Sequence, residues 1–487
     1  MFPSTPDLIF AIVAPVTAIR GAVKLTQADG DFSAHLRMGD TILATSHIPT
    51  HSLVSYTAAT EQMVGHAWLA EVIFATVFRA GGLPLICAVV GCIIGLTHAM
   101  IALFLRRHGA DPRWALVAAI MSLTLASTHW LARPHLFSIV GAALTLVLLE
   151  SERPRRQLLF IPLFILWANL HGGWLYGLAI ISMYIAGELG EGWISVEGRS
   201  YWLSRAKRDA IALALASVST LANPFGIALH REVIGAVTNP SLAQNISEFL
   251  PSNFQDVDQW SFTLAILLTI ALLSLGVRRM KLPWLFLIVL SLFFALRSFR
   301  NIALFGVTAW PLIALHAANA LPSPTRPFRP FSEFARLDPG TRLGWLALPV
   351  AVLLIGLGLN RGRVGNLPMI ADHFDNRSFP VAAVDRARSA GLTGRVFDSW
   401  PWGGYIMYAW PEASLHVDPL KFSKTTMDSY ATIESLKSGW LEELARWQVK
   451  TIIIKARSPM ARALKTAPGW SLWYGDSTAV VYRANGT

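Results

Sequence analysis

Charge is scarce in this chain of 487 residues. Asp, Glu, Lys and Arg together make up 15% of it, and 53% is hydrophobic. A soluble domain carries roughly a quarter charged residues, so the composition excludes an ordinary water-soluble protein and points to a polytopic membrane protein. Cysteine is nearly absent. Cys87 and Cys92 lie in one apolar run at i, i+5, a spacing that suits neither a disulfide nor a metal pair. The start, Met1-Phe2-Pro3, lacks the basic segment of a cleavable leader, and residues 7–19 lead into an apolar run. The chain's own helices are therefore expected to target it to the membrane. It also lacks internal repeats, and its apolar runs hold few ionisable side chains, which disfavours a transporter.

The charge that is present is lopsided, at net +11. In a soluble protein this excess would suggest nucleic acid. Here the basic residues cluster in short gaps between apolar runs, where anionic lipid accounts for them, so the expected partner is the lipid bilayer and no nucleic acid. About eleven apolar runs approach the length of a bilayer core: 7–25, 82–105, 114–131, 135–150, 157–170, 173–188, 209–222, 262–277, 282–297, 301–319 and 344–359. Lipid cannot satisfy a free backbone, so such runs are expected to be helices. Basic clusters occupy every second gap: 106–113, 153–156, 205–208, 278–281 and 326–342. Short Lys/Arg-rich loops stay cytoplasmic, which places the N-terminus inside and the C-terminus outside. Arg20 and Lys24 go against this rule and would have to snorkel. The Pro/Arg stretch 322–330 reads as a cytoplasmic linker.

Three outward segments are long. Residues 26–81 carry a helical stretch at 31–46, a polar turn at 46–50 and an amphipathic segment at 66–79. Residues 223–261 form the second. The third begins near 361, where the apolar rhythm changes. Short β-rich runs at 395–397, 415–417, 451–454 and 479–482 alternate with helical segments at 380–390, 403–410, 424–437, 439–447 and 458–466. The expected architecture is an all-α polytopic transmembrane bundle over 1–360, including the outward loop 26–81, followed by a small C-terminal α/β domain over 361–487 on the extracytoplasmic side.

The candidate chemistry lies in the outward gaps. Asp29 and Asp31 open a helix, and His35 follows Asp31 at i, i+4 on the same face. Such an acidic pair can act as a base or bind a divalent cation, although either residue can also simply cap the helix. Further outward motifs are Trp68-Leu69-Ala70-Glu71, His129 to His135 around Arg133, Asn169-Leu170-His171-Gly172-Gly173, Asn223-Pro224-Phe225-Gly226, Ile246 to Phe254 around Glu248, and Arg297-Ser298-Phe299-Arg300-Asn301. Taken singly, these His and Trp residues suit interfacial anchors and the Asn-Pro and Gly-Gly pairs suit turns. Taken together, they put acid, imidazole and guanidinium on one side of the membrane. That set suits an anionic phosphate held by Arg beside a working carboxylate.

The order of these motifs resembles a group of bacterial polytopic proteins of the GT-C glycosyltransferase type. The resemblance runs through Asp29-Gly30-Asp31 to His35-Leu36 and Gly39, Ile48-Pro49, Ser52 to Thr57, Trp68 to Glu71, Arg133 to Ser138, Asn169 to Gly173, Asn223 to Gly226, Arg297 to Phe305 and the tail segment Gly394 to Tyr405. It covers most of the chain. Two places depart from the group's pattern. Phe32-Ser33-Ala34 stands where more aromatic residues are usual, and Val417-Asp418-Pro419-Leu420 stands where Ile-Asp-Gly-Arg is usual.

The resemblance implies an inverting transferase in a bacterial inner membrane, with its C-terminal domain in the periplasm. The donor would be a polyprenyl-phosphate-linked sugar, and the acceptor a cell-envelope glycan, lipid or protein. The catalytic acid falls on Asp31, beside Asp29 and His35. Some members hold a divalent cation, Mg or Mn, for which Asp29 and Asp31 are the candidate ligands. Arg297, Arg300 and Arg133 fall at donor-phosphate positions, and His171, Asn169, Glu71, His135 and Glu248 at substrate positions. The rival reading is a non-catalytic GT-C-like subunit or scaffold of a cell-envelope polysaccharide assembly. Fold resemblance alone does not choose between them.

Overall fold

The computed structural model describes residues 3–28, 30–238, 247–275, 280–320, 333, 336–421 and 423–486. The expected linker 322–330 lies outside the described residues. The chain divides into two compact units. One comprises Met1–Arg20, Ala88–Trp130 and Pro134–Leu357, and the other Gly21–Cys87, Leu131–Arg133 and Gly358–Thr487. The first long loop thus folds with the tail. The helix Trp68–Arg107 contributes to both units and changes course at Gly82, whose φ of 66° lies in the left-handed region that glycine tolerates best.

The first unit is helical, and helices stand at all the expected spans. Two described helices, Trp68–Arg107 and Phe299–Ala320, are long and apolar enough to cross a membrane by that measure alone. Five apolar helices are shorter: His135–Leu149, Arg156–Leu170, Trp260–Ser274, Leu282–Arg297 and Ala347–Leu359. At about 1.5 Å per residue they fall short of a core about 30 Å thick. The first expected run is broken at Gly21, whereas Gly82 stands at the edge of the second and leaves that run whole.

The surface of this unit is apolar in a way water would not favour. Val218 (66%), Leu267 (60%) and Val352 (62%) stand exposed on separate helices, together with Val117, Leu166 and Val289. Apolar exposure repeated across so many helices marks a surface made to be covered. Inside, Phe262, Phe305, Trp310 and Ile313 pack in one cluster. Two arginines from the basic loops are buried rather than facing headgroups. Arg156 pairs with Asp209 at 2.7 Å, and Arg205 with Glu188 at 2.9 Å.

The second unit is built on a five-stranded sheet. Its strands are β3 (Arg395–Asp398), β4 (Ser414–Leu415), β5 (Val449–Lys455), β6 (Trp470–Gly475) and β7 (Ala479–Ala484), after a short hairpin of β1 (Arg363–Val364) and β2 (Leu367–Pro368). The order is β4-β3-β5-β7-β6. β3 runs parallel to β4 and β5, while β7 is antiparallel to β5 and β6. Val396, Ile453 and Val481 face one core with Trp402 and Ile406, while Phe397, Ile452, Ile454 and Tyr482 face another. The period-2 alternation therefore buries both faces of the sheet. The four expected strands are present, and β6 is an addition. Helices Val381–Ser389, Gly403–Ala409, Lys424–Glu434, Trp440–Arg446 and Pro459–Leu464 stand where expected.

Candidate functional site

The helix Asp31–Thr45 starts directly after Gly30, with Asp31 in its first turn. A carboxylate there complements the positive end of the helix dipole. Arg133 Nη2 donates to Asp31 Oδ2, pairing two half-buried side chains. Arg133 lies on the connection Leu131–Arg133, which is fastened where the Ala132 amide donates to the Leu25 carbonyl at 2.7 Å. In this structure Arg133 is thus the partner of Asp31. Asp29 lies outside the described residues.

His35 faces Glu71 rather than Asp31. Its Nδ1 is 3.0 Å from Glu71 Oε1, and both side chains are buried. Gly39 makes this approach possible, because a Cβ there would lie 2.0 Å from the Glu71 carbonyl oxygen. One turn earlier Phe32 meets Phe74 edge-on, with ring centroids 6.2 Å apart. At the other end Arg79 Nε donates to Asp40 at 2.7 Å. Asp31 and His35 thus share a helix but serve different partners.

The tail closes on the same helix start. A Cβ on Gly404 would lie 2.0 Å from the Gly30 oxygen, and one on Gly30 would lie 2.6 Å from the Pro401 oxygen. The loop Ser52 to Thr57 meanwhile extends the sheet edge. The Leu415 amide donates to Val54 at 2.8 Å, and the Tyr56 amide to Leu415 at 3.1 Å. Thr57 and Ser55 hydroxyls donate to the His416 carbonyl, and Ser52 donates to the buried Asp418 carboxylate. Burial pushes the Asp418 carboxyl above the usual carboxylate range.

The Tyr56 hydroxyl and His416 Nδ1 are 2.8 Å apart. Burial pushes the His416 imidazole down to about 4 and raises the Tyr56 phenol well above its ordinary value. Both groups are therefore neutral near pH 7. Asp418 also accepts from the Leu420 amide at 2.7 Å. Its carboxylate thus shapes the turn that departs from the group's pattern.

The helical unit carries its own cluster. Trp167 Nε1 donates to Ser138 Oγ at 2.8 Å, which leaves the serine proton for His171 Nδ1 at 2.7 Å. The Gly173 amide also donates to that Nδ1, at 3.1 Å. His171 is thereby held as the Nε2–H tautomer. His135 Nε2 donates to the His129 carbonyl at 2.7 Å, and the two rings are 4.0 Å apart. His129 Nε2 is 3.9 Å from Glu248 Oε2. The Ser298 hydroxyl donates to the Glu248 carbonyl at 2.9 Å, and the Arg300 guanidinium lies 4.7 Å over the Phe249 ring. Arg297 is exposed at the end of its helix. Asn169 Nδ2 donates to Ile165 and Ala222 carbonyls, both at 2.8 Å, and so ties two helix ends together.

Among the described residues no three His, Cys, Asp or Glu side chains gather as a metal site. The guanidinium of Arg133 already supplies a positive charge to Asp31. Asp29, one of the two candidate ligands, lies outside the described residues, and no step is drawn through a divalent cation. Sequence reasoning missed the Tyr56–His416 and Ser52–Asp418 contacts. Both join motifs it had singled out separately, so the shared resemblance was the available signal.

No family model matches the chain, and no curated protein matches it. Solved structures do. The archaeal oligosaccharyltransferase AglB from Archaeoglobus fulgidus, in complex with an inhibitory peptide and a dolichol-phosphate, aligns over 98% of this chain and 74% of that chain. The TM-score is 0.54 and the identity 11%. The apo form of the Archaeoglobus fulgidus oligosaccharyltransferase aligns over 99% and 74%, at TM-score 0.54 and 12% identity. ArnT from Cupriavidus metallidurans bound to undecaprenyl phosphate aligns over 98% and 97%, at TM-score 0.49 and 13% identity. At such identities the likeness is one of fold: this chain shares the fold of the archaeal oligosaccharyltransferase.

Proposed function

We propose that the chain is an integral membrane glycosyltransferase of inverting type. It takes a sugar from a polyprenyl-phosphate-linked donor to a cell-envelope glycan, lipid or protein acceptor on the periplasmic face of a bacterial inner membrane. The observation that carries this reading is the Asp31–Arg133 pair at the start of a helix in a GT-C fold. Arg133 orients the carboxylate, and Asp31 takes the proton of the acceptor hydroxyl as that oxygen attacks the anomeric carbon. The bond from that carbon to the donor phosphate breaks, and its electron pair leaves with the polyprenyl phosphate. Arg297 and Arg300 are assigned to the charge that develops on that phosphate. His171, with its tautomer held, is assigned with His135 and Glu248 to the sugar hydroxyls. Asn169 supports the backbone around them, and Glu71 positions His35.

A rival reading has one observation behind it. An acid in a helix's first turn paired with an arginine is also a sufficient structural device. A non-catalytic scaffold would need nothing more of Asp31. The discriminating measurement is mass spectrometry of envelope glycans and glycolipids from a deletion strain, complemented with wild type or Asp31→Asn. Loss of one sugar in the deletion, restored by wild type alone, supports the transferase. Full restoration by Asp31→Asn hands the lead to the scaffold.

A further inference from the structure

The tail unit contains a cavity of about 700 Å³ that the mechanism above leaves unused. Three cationic side chains line it, Arg377, Lys455 and Arg457, together with the hydroxyls of Ser477 and Thr478, and among the described residues no carboxylate does. Lys455 ends β5, and Arg457 follows in the turn before the helix Pro459–Leu464. Two hydrogen bonds bring the walls together: the Ala456 amide donates to the Thr478 carbonyl at 2.9 Å, and the Thr478 hydroxyl to the Asn376 carbonyl at 2.8 Å. Trp402 closes another side, with Nε1 donating to the Ser378 carbonyl at 2.8 Å.

The charge in this cavity is unbalanced. Among the described residues Arg377, Lys455 and Arg457 make no ion pair. Two nearby described acids, Asp375 and Asp476, are engaged elsewhere. Asp375 accepts from the Arg377 amide at 2.9 Å, and Asp476 accepts from the amides of Thr478 and Ala479 at 2.7 and 2.8 Å and from the Tyr474 hydroxyl. Three cations with no acid among the described lining create a positive field in a concave space. The volume falls within the range of roughly 300–1,000 Å³ typical of ligand pockets. Gln27 and Ala28, also on its wall, stand just before the segment that carries Asp31.

We propose that this cavity binds an anionic saccharide, one bearing carboxylate or phosphate groups, as the acceptor of the transferase. The word acceptor rests on the reading under Proposed function, whereas the anion site does not. The test is calorimetric titration of the full-length protein in detergent with tetragalacturonate, with glucose 1-phosphate and with neutral maltotetraose. The expected result is binding of at least one anionic probe, weakened by added salt, with no binding of maltotetraose. Tetragalacturonate alone assigns carboxylate recognition, and glucose 1-phosphate alone assigns phosphate. Lys455→Gln with Arg457→Gln is expected to weaken binding about tenfold or more at an unchanged melting temperature. Lys455→Arg with Arg457→Lys should keep it within about threefold. Maltotetraose binding as tightly as the anions, or no change in the charge-neutral variant, overturns the proposal. Anion binding by a wild type that transfers no sugar leaves the site standing and removes its acceptor role. Transfer without binding of either anionic probe overturns the cavity proposal and leaves the transferase reading intact.

Discussion

Gly404 in the tail lies against Gly30 so closely that a Cβ on Gly404 would stand 2.0 Å from the Gly30 carbonyl oxygen. The neighbour is backbone, so the clash cannot be relieved by a side-chain rotation. Gly404→Ala is expected to destabilise the protein by about 1–3 kcal/mol, as overpacking does, and to disturb the start of the Asp31 helix. Gly235 is the control, because nothing lies within 4 Å of its Cβ position and it sits inside the helix Ile227–Thr238. Gly235→Ala should be neutral or stabilising by up to about 1 kcal/mol. Thermal unfolding of both variants checks this. An equal effect of the two would mean that the Gly30–Gly404 contact is not needed.

That contact also shows what was legible in advance. Asp31 at the head of a helix and the strand–helix alternation of the tail were readable, because local periodicity and capping chemistry encode them. The partners were not. Arg133 reaches Asp31 from 102 positions away. Ser52–Thr57 joins the edge of β4, where Leu415 and Val54 pair through backbone groups that carry no side-chain signature. β6 escaped notice because its burial does not alternate cleanly along Trp470–Gly475. The break at Gly21 was not legible because an apolar run records composition, whereas a glycine that interrupts its helix acts through backbone geometry.

Asp31 and Arg133 should behave as a coupled pair. Asp31→Asn removes the proposed base and should lower sugar transfer about 10²–10⁴-fold. Arg133→Gln leaves the carboxylate without its orienting partner and should cost transfer less. The double variant should cost less than the two effects combined, which a double-mutant cycle on transfer rate would read. If Asp31→Asn lowers the melting temperature while transfer stays intact, the pair is structural and the base lies elsewhere.

The same pair bears on metal dependence. Arg133 already compensates the Asp31 carboxylate, and a divalent cation there would meet a guanidinium at close range. Transfer by the purified protein is therefore expected to persist in excess EDTA and to gain less than about twofold from added Mg or Mn. Loss of transfer in EDTA with recovery on Mn would show that Arg133 gives way to a metal during turnover.

His35 and Glu71 offer a test of burial. Both are buried and meet at 3.0 Å. Glu71→Gln preserves a hydrogen-bonding partner for the imidazole, whereas Glu71→Leu leaves a buried ring nitrogen unsatisfied. The leucine variant should be less stable than the glutamine variant by about 1–3 kcal/mol. Equal melting temperatures would show that water or another group satisfies His35.

The last expectation concerns acid. His416 sits among Tyr56, Phe397 and Trp447, and burial holds its imidazole at about 4, below the ordinary 6.5. A histidine depressed in this way is neutral in the folded chain while the unfolded chain takes up a proton first. Stability attributable to it is thus intact above about pH 6.5 and is lost as pH falls toward 4, by up to about 3 kcal/mol. Asp398 and Asp418, whose carboxyls burial pushes up, act in the opposite direction, because their folded forms hold protons that the unfolded chain has released. Total stability against pH would mix these slopes. The difference between wild type and His416→Gln separates them, since the aspartates are common to both proteins. That difference should shrink by about 3 kcal/mol between pH 7 and pH 4 in urea unfolding. A difference that stays constant with pH would mean that water reaches the imidazole and that the Tyr56 hydrogen bond does not depend on a dry pocket.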